Sequence, residues 1–124
     1  MRGTIRRYSL DIYPLCIWVA INVADDVIAD TFGDDDLQFP ENCLGYVCTE
    51  VLTETDTGDV GFLIRFKNGS VISPDVAAHE ATHAAAFIFK YIGAVFDVDN
   101  QEPFAYLVQW VVWKIWQTKT ARIE

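Results

Sequence analysis

Residues 73–93 read SPDVAAHEATHAAAFIFKYIG, bounded by Ser-Pro at one end and Gly at the other. Ser73 is a good N-cap, Pro74 suits the first helical position, and Asp75 sets negative charge at the positive end of the helix dipole. Gly93 is placed to close the segment in a left-handed cap. The pattern predicts one helix between Ser73 and Gly93. Ala77, Ala78, Ala81, Ala84, Ala85 and Ala86 are strong helix formers, and their small size lets a neighbouring backbone approach closely.

Both histidines of the chain lie on this helix, four residues apart, on either side of Glu80. Residues i and i+4 share a helix face, so His79 and His83 can aim ring nitrogens at one point. Zinc accepts imidazole nitrogen at about 2.0 to 2.1 Å, and two ligands on one rigid helix fix half of a tetrahedral site. Glu80 is turned by about 100° from His79, from where a carboxylate can reach a water on the metal without binding the metal itself. HEATH is thus an HExxH sequence. The competing reading is a pair of imidazoles on an ordinary helix face; the concentration of all the histidine in one motif favours Zn2+.

Two ligands hold a catalytic zinc poorly; a cysteine is a possible third but distant in sequence, and the chain has no further histidine. The acidic candidates downstream are Asp97, Asp99 and Glu102. Asp97 and Asp99 are expected in a loop, whereas Glu102 opens the next helix, which must fold back antiparallel to bury its apolar face. Glu102 is the preferred third ligand, with Asp97 and Asp99 as alternatives.

With HEATHAA followed by DVDNQEPFAYLVQW, the chain resembles the zincin metallopeptidases, of the gluzincin type, and is similar to small metallopeptidases encoded by phages and prophages. The match covers roughly the last 50 residues. The resemblance implies a minimal zincin-like fold, His79, His83 and Glu102 as zinc ligands, and Glu80 as catalytic base. It also implies a peptide or protein substrate and, for a phage-encoded protein, a place in the host cytoplasm. Pro103 departs from the helix former usual after the ligand. Tyr91 and Tyr106 flank the motif as candidate oxyanion donors, although buried aromatics with a wet hydroxyl are the commoner case. Zincins bind extended peptides along an edge strand, a role that VGFLIRF or SVIS could take.

The rest of the chain sets bounds on that reading. Its 124 residues suit one domain, 1–124, and 52% hydrophobic with 14% aromatic residues argues for a packed core. A net charge of -9 excludes non-specific binding to a nucleic-acid backbone. Asp25, Asp26, Asp30, Asp34, Asp35 and Asp36 lack calcium-loop spacing and read as a solvated helix end and loop. Cys16, Cys43 and Cys48 cannot all pair within one chain and fit free thiols in a reducing, cytoplasmic setting. Arg2, Arg6 and Arg7 precede an apolar run, but Asp11 and Pro14 interrupt it and no export cleavage site follows. FAYLVQWVVWKIW is too short to span a bilayer, so neither a membrane nor a nucleic acid is an expected partner.

The predicted fold class is α+β: a small mixed or antiparallel sheet of three to four strands packed against the HExxH helix and an apolar C-terminal helix. YSLDIYPLCIWVAI reads as a first strand with Pro14 at an edge or bulge. VADDVIADTFG reads as a short helix ending at Gly33. LGYVCTEVLTE and VGFLIRF read as a hairpin around TDTGD, with a tight turn at Asn68-Gly69 before SVIS. The last helix is expected to start between Asn100 and Pro103 and, being apolar nearly all round, to lie deep in the core or against the sheet, with Trp110, Trp113 and Trp116 read as core packing ahead of an interface between chains. The oligomeric state is left open. Three functions compete: a zinc peptidase, an inactive zincin-fold metal-binding module that holds a protein partner, and a small acidic decoy or inhibitor with an incidental histidine motif.

Overall fold

A computed structural model describes residues 3–121; Arg2 and both ends of the expected domain lie outside the described residues. Along the chain the elements are Thr4–Ser9 (β1), Cys16–Ile21 (β2), Asp25–Phe32 (α1), Gly45–Val47 (β3), Leu52–Thr53 (β4), Val60–Phe66 (β5), Pro74–Ile92 (α2) and Glu102–Ala121 (α3). A turn of 3-10 helix at Gly69–Val71 precedes α2. The fold is a small α+β fold with a mixed sheet of five strands.

The two most apolar strands, β2 and β5, pair in parallel at the centre, β1 pairs antiparallel with β2, and β3 and β4 pair antiparallel with β5. Strand alternation divides their side chains between two layers. Ile17, Val19, Ile21, Phe62, Ile64 and Phe66 pack toward α2 and α3, whereas Cys16, Trp18, Ala20 and Leu63 pack with Ile28 and Phe32 of α1. Fully burying each large apolar side chain of this kind contributes about 1.5–3 kcal/mol, so the central strand pair anchors both layers.

Gly61 makes that pairing possible. A Cβ added there would stand 2.0 Å from the carbonyl oxygen of Cys16, its rung partner on β2. Neither backbone can yield without breaking the parallel ladder. Gly61→Ala is therefore expected to cost about 3 kcal/mol, read as a fall of roughly 1–2 M in the urea midpoint.

The single first strand expected from YSLDIYPLCIWVAI is instead a hairpin. Thr4–Ser9 forms a strand of its own, and Pro14 lies in the connection, where Leu10 N–H donates to Leu15 O at 3.0 Å and Asp11 takes a φ of 65°. The hairpin around TDTGD forms as expected, with Glu54 N–H donating to Asp59 O at 2.9 Å, but its first arm is broken into β3 and β4. SVIS folds into the 3-10 turn and the start of α2, because the side chain of Asn68 accepts from Val71 N–H and caps the turn. The short helix ends in a left-handed cap at Gly33, as its sequence indicates.

Helix α2 follows the expected boundaries, with Ser73 at the N-cap, Pro74 in the first turn and Gly93 in a left-handed cap. Ser73 Oγ donates to Asp75 Oδ1 instead of capping a backbone N–H. That bond holds the Asp75 carboxyl below its ordinary range. Helix α3 starts at Glu102, within the expected window. Of the two expected placements it takes the one against the sheet: Val111, Ile115 and Thr118 are buried, whereas Tyr106, Trp113 and Trp116 are exposed, so Trp113 and Trp116 are not core residues. The sheet can cover only one side of a helix that forms an outer layer, and the indole rings on the other side remain in solvent. Among the described residues no helix is long and apolar enough to cross a membrane.

Candidate metal site

Helix α2 lies over β5 and β3, and α3 lies over β1 and β2. Ala77, Ala81, Ala84, Ala85 and Ile88 form the buried side of α2. On an adjoining stripe, at i, i+4, i+8 and i+12, stand His79, His83, Phe87 and Tyr91. The stripe is tied to the sheet at its lower end: Phe87 stacks on Phe62 at 6.2 Å, Tyr91 meets Phe62 edge-on at 6.1 Å, and His83 stacks on Phe87 at 6.4 Å.

The imidazoles converge. His79 Nε2 and His83 Nε2 are 3.2 Å apart, with the ring planes crossed at 80°. In the metal-free chain this is an N–H···N hydrogen bond with one nitrogen protonated. Two nitrogens on a tetrahedral zinc with bonds of about 2.0–2.1 Å stand about 3.3 Å apart, close to the separation of these two atoms. Both rings are exposed.

Glu80 lies one residue along and is only 7% exposed. Burial pushes its carboxyl above the ordinary range, and the nearby His79 and His83 pull it partly back. A carboxyl held in this way is a stronger base than an exposed one while staying within electrostatic reach of both rings.

The structure does not bring Glu102 to the histidines. Among the described residues no three His, Cys, Asp or Glu side chains are grouped to hold a metal ion. The reason lies in the helix pairing. Phe104 packs on Phe89 at 5.1 Å, and Lys119 Nζ donates to Ile72 O at 2.6 Å, so α3 runs antiparallel to α2 and starts at its C-terminal end. At about 1.5 Å per residue, His83 lies about 9 Å and His79 about 15 Å along α2 from the level of Phe89. The histidines sit level with the middle of α3 instead. Asp97 and Asp99 lie in the turn before α3, where Asp97 Oδ1 accepts from Asp99 N–H at 2.9 Å and Asn100 N–H donates to Asp97 O at 2.9 Å.

Tyr91 lies on the histidine stripe but two turns below His83, and Tyr106 lies on the outer side of α3 beside Trp110. The expected peptide-binding edge is not available on either named strand: β5 is paired on both sides, and SVIS is not a strand. Of the free cysteines, Cys16 and Cys48 are buried and Cys43 is partly buried. Burial pushes Cys16 up to about 11 and raises Cys48 as well, so both stay thiols at neutral pH.

A second polar centre, not foreseen from the sequence, lies on the opposite face of the sheet. Arg65 of β5 is 2% exposed, and its guanidinium donates to Val23 O at 2.7 Å, Leu37 O at 3.2 Å and Tyr46 Oη at 3.1 Å, while pairing with Asp25 Oδ1 at 2.9 Å. It also stands 5.2 Å from the Phe39 ring centroid and 5.7 Å from that of Tyr46. These contacts from its two terminal nitrogens tie the α1 end, the loop after α1 and β3 to the sheet, as a clamp. The signal in the sequence was one arginine at an α1-facing position of an otherwise apolar strand. Comparison with known proteins finds no matching family model, no matching curated protein and no matching solved structure.

Proposed function

We propose that this chain is a zinc-dependent hydrolase of the HExxH type, a minimal zincin-like peptidase, in which His79 and His83 hold the ion and Glu80 is the general base. The observation that carries the reading is the 3.2 Å separation of the two Nε2 atoms, which matches a zinc bite without rearrangement. His79 and His83 would hold the zinc, which would supply activation of a water and polarisation of a substrate carbonyl. Glu80 takes a proton from the attacking water and returns it to the leaving amine, a task suited to a carboxyl whose pKa burial has raised. The exposed rings leave room for a peptide, and three free thiols are compatible with a reducing cytoplasm, that of the host if the chain is phage-encoded.

The donor set fits in part. Two imidazoles are in place, while Glu102, which the resemblance assigns as third ligand, stands at the far end of α2. That gap favours one second reading: a zincin-fold module that binds metal and holds a protein partner without catalysis.

Metal analysis of the chain purified without a histidine tag separates these readings. One zinc per chain, lost in His83→Ala, is expected under both readings of the metal site, and its absence from the wild type removes both in favour of an acidic decoy. Cleavage of a peptide library by the zinc-loaded chain then distinguishes the peptidase from the inactive module.

A further inference from the structure

We propose that two copies of this chain pair through the outer face of α3, in an antiparallel helix contact centred on Trp113. Tyr106, Gln109, Trp113, Trp116 and Thr120 are all exposed and follow one another at alternating spacings of three and four. That is the spacing of the narrow seam along which one helix packs on another. The buried side of α3 is used by the sheet and α2, so this seam has no partner within the described chain.

Tyr106 is 63%, Trp113 60% and Trp116 39% exposed. At about 150–250 Å² per aromatic side chain, these three leave about 300–400 Å² of ring surface open, near the largest patch a monomer ordinarily shows. Ile12 and Tyr13, from the β1–β2 connection, extend the patch beyond Tyr106 and Trp110. The whole strip approaches, without reaching, the roughly 800 Å² that each partner gives to a stable complex, which fits a dimer that dissociates on dilution.

Charge selects the second copy as occupant. The chain carries 18 acidic residues and a net charge of -9, so two copies repel on most approaches. Residues 103–121 hold Lys114 and Lys119 and no Asp or Glu, so two copies can meet along α3 beyond Glu102 without opposing carboxylates from that helix. The lysines are drawn to the margin: Lys114 Nζ lies 5.3 Å from the Tyr8 ring centroid and 5.6 Å from that of Trp110, and Lys119 Nζ lies 4.7 Å from that of Trp116. A basic partner would seek the aspartates of α1, and the overall negative charge opposes an anionic lipid surface. In a twofold antiparallel contact centred on Trp113, Trp113 meets its own copy, Gln109 faces Trp116 and Tyr106 faces Thr120, so each substitution is felt twice.

Sedimentation equilibrium of the full chain from 1 to 500 µM tests this directly. The mass should rise with concentration from 14.0 kDa toward twice that value. Trp113→Lys should raise the dissociation constant by about 30-fold or more, while the far-UV circular dichroism and unfolding temperature at low concentration stay those of the wild type. Gln109→Lys, at an exposed polar seam position, should act in the same direction and decides the matter if Trp113→Lys fails to fold. A wild type that stays at 14.0 kDa throughout, or a dimer that both substitutions leave intact, overturns the proposal. So does a chain that remains monomeric alone and sediments only with vesicles containing anionic lipid.

Discussion

Arg65→Met is expected to remove about 3–5 kcal/mol of folding stability, a large share of the roughly 5–15 kcal/mol that a domain commonly has. Methionine fills much of the same volume, so lost packing is not the main cause. The loss comes from the acceptors left behind: Val23 O, Leu37 O and Tyr46 Oη each receive a hydrogen bond from the guanidinium. A bond to a charged donor contributes about 1.5–3 kcal/mol, and no other described side chain is placed to replace it. The ion pair is the smaller part, because the Asp25 side chain is 47% exposed and such pairs contribute about 1 kcal/mol or less. Two measurements follow. The urea midpoint of Arg65→Met should fall steeply, whereas Asp25→Asn should lower it by a few tenths of a molar at most. Raising the salt concentration should leave the wild-type midpoint nearly unchanged; a large salt dependence, or an Asp25→Asn loss equal to that of Arg65→Met, would show that the ion pair and not the clamp holds α1 and the loop after it on the sheet.

The same residue shows where the sequence ceases to be readable. Local signals are contained within a few residues, so the Ser73-Pro74 start, the Gly93 stop and the convergence of His79 with His83 could be read from spacing alone. The partners of Arg65 come from residues 23, 25, 37 and 46, and nothing in VGFLIRF announces them. Pro14 misled for a related reason: it breaks a strand pattern in either a bulge or a turn, and only the pairing of Thr4–Ser9 with β2 decides for the turn. Helix α3 is apolar on nearly every side, so its periodicity could not tell which side the sheet would cover. Glu102 was placed at the correct helix start, but the level at which α3 meets α2 depends on how Phe104 seats against Phe89 and Phe96. That contact is a tertiary choice, and it leaves the carboxylate away from the imidazoles.

Glu80→Gln is expected to keep one zinc per chain and to lower peptide hydrolysis by about 10²–10⁴-fold, the usual contribution of a positioned general base. Glutamine preserves the shape and the hydrogen-bonding length of the side chain but cannot take a proton, so binding and chemistry are read separately. The metal-free chain supplies a further readout that does not depend on activity. Burial raises the Glu80 carboxyl above its unfolded value, so the folded state holds this proton at a pH where the unfolded chain has released it. The stability that Glu80 contributes is therefore fully present in acid, below the unfolded carboxylate range, and is lost as pH rises through the raised folded value. Glutamine has no such loss. Denaturant unfolding of the two metal-free proteins should give midpoints that lie closest in acid and separate toward neutral pH, with Glu80→Gln the more stable. Added zinc should narrow that gap in the wild type, since a cation beside Glu80 favours its charged form. Full hydrolysis by Glu80→Gln would remove the base from its assigned role, and midpoints that stay together across the pH range would show that the buried carboxylate costs the fold nothing.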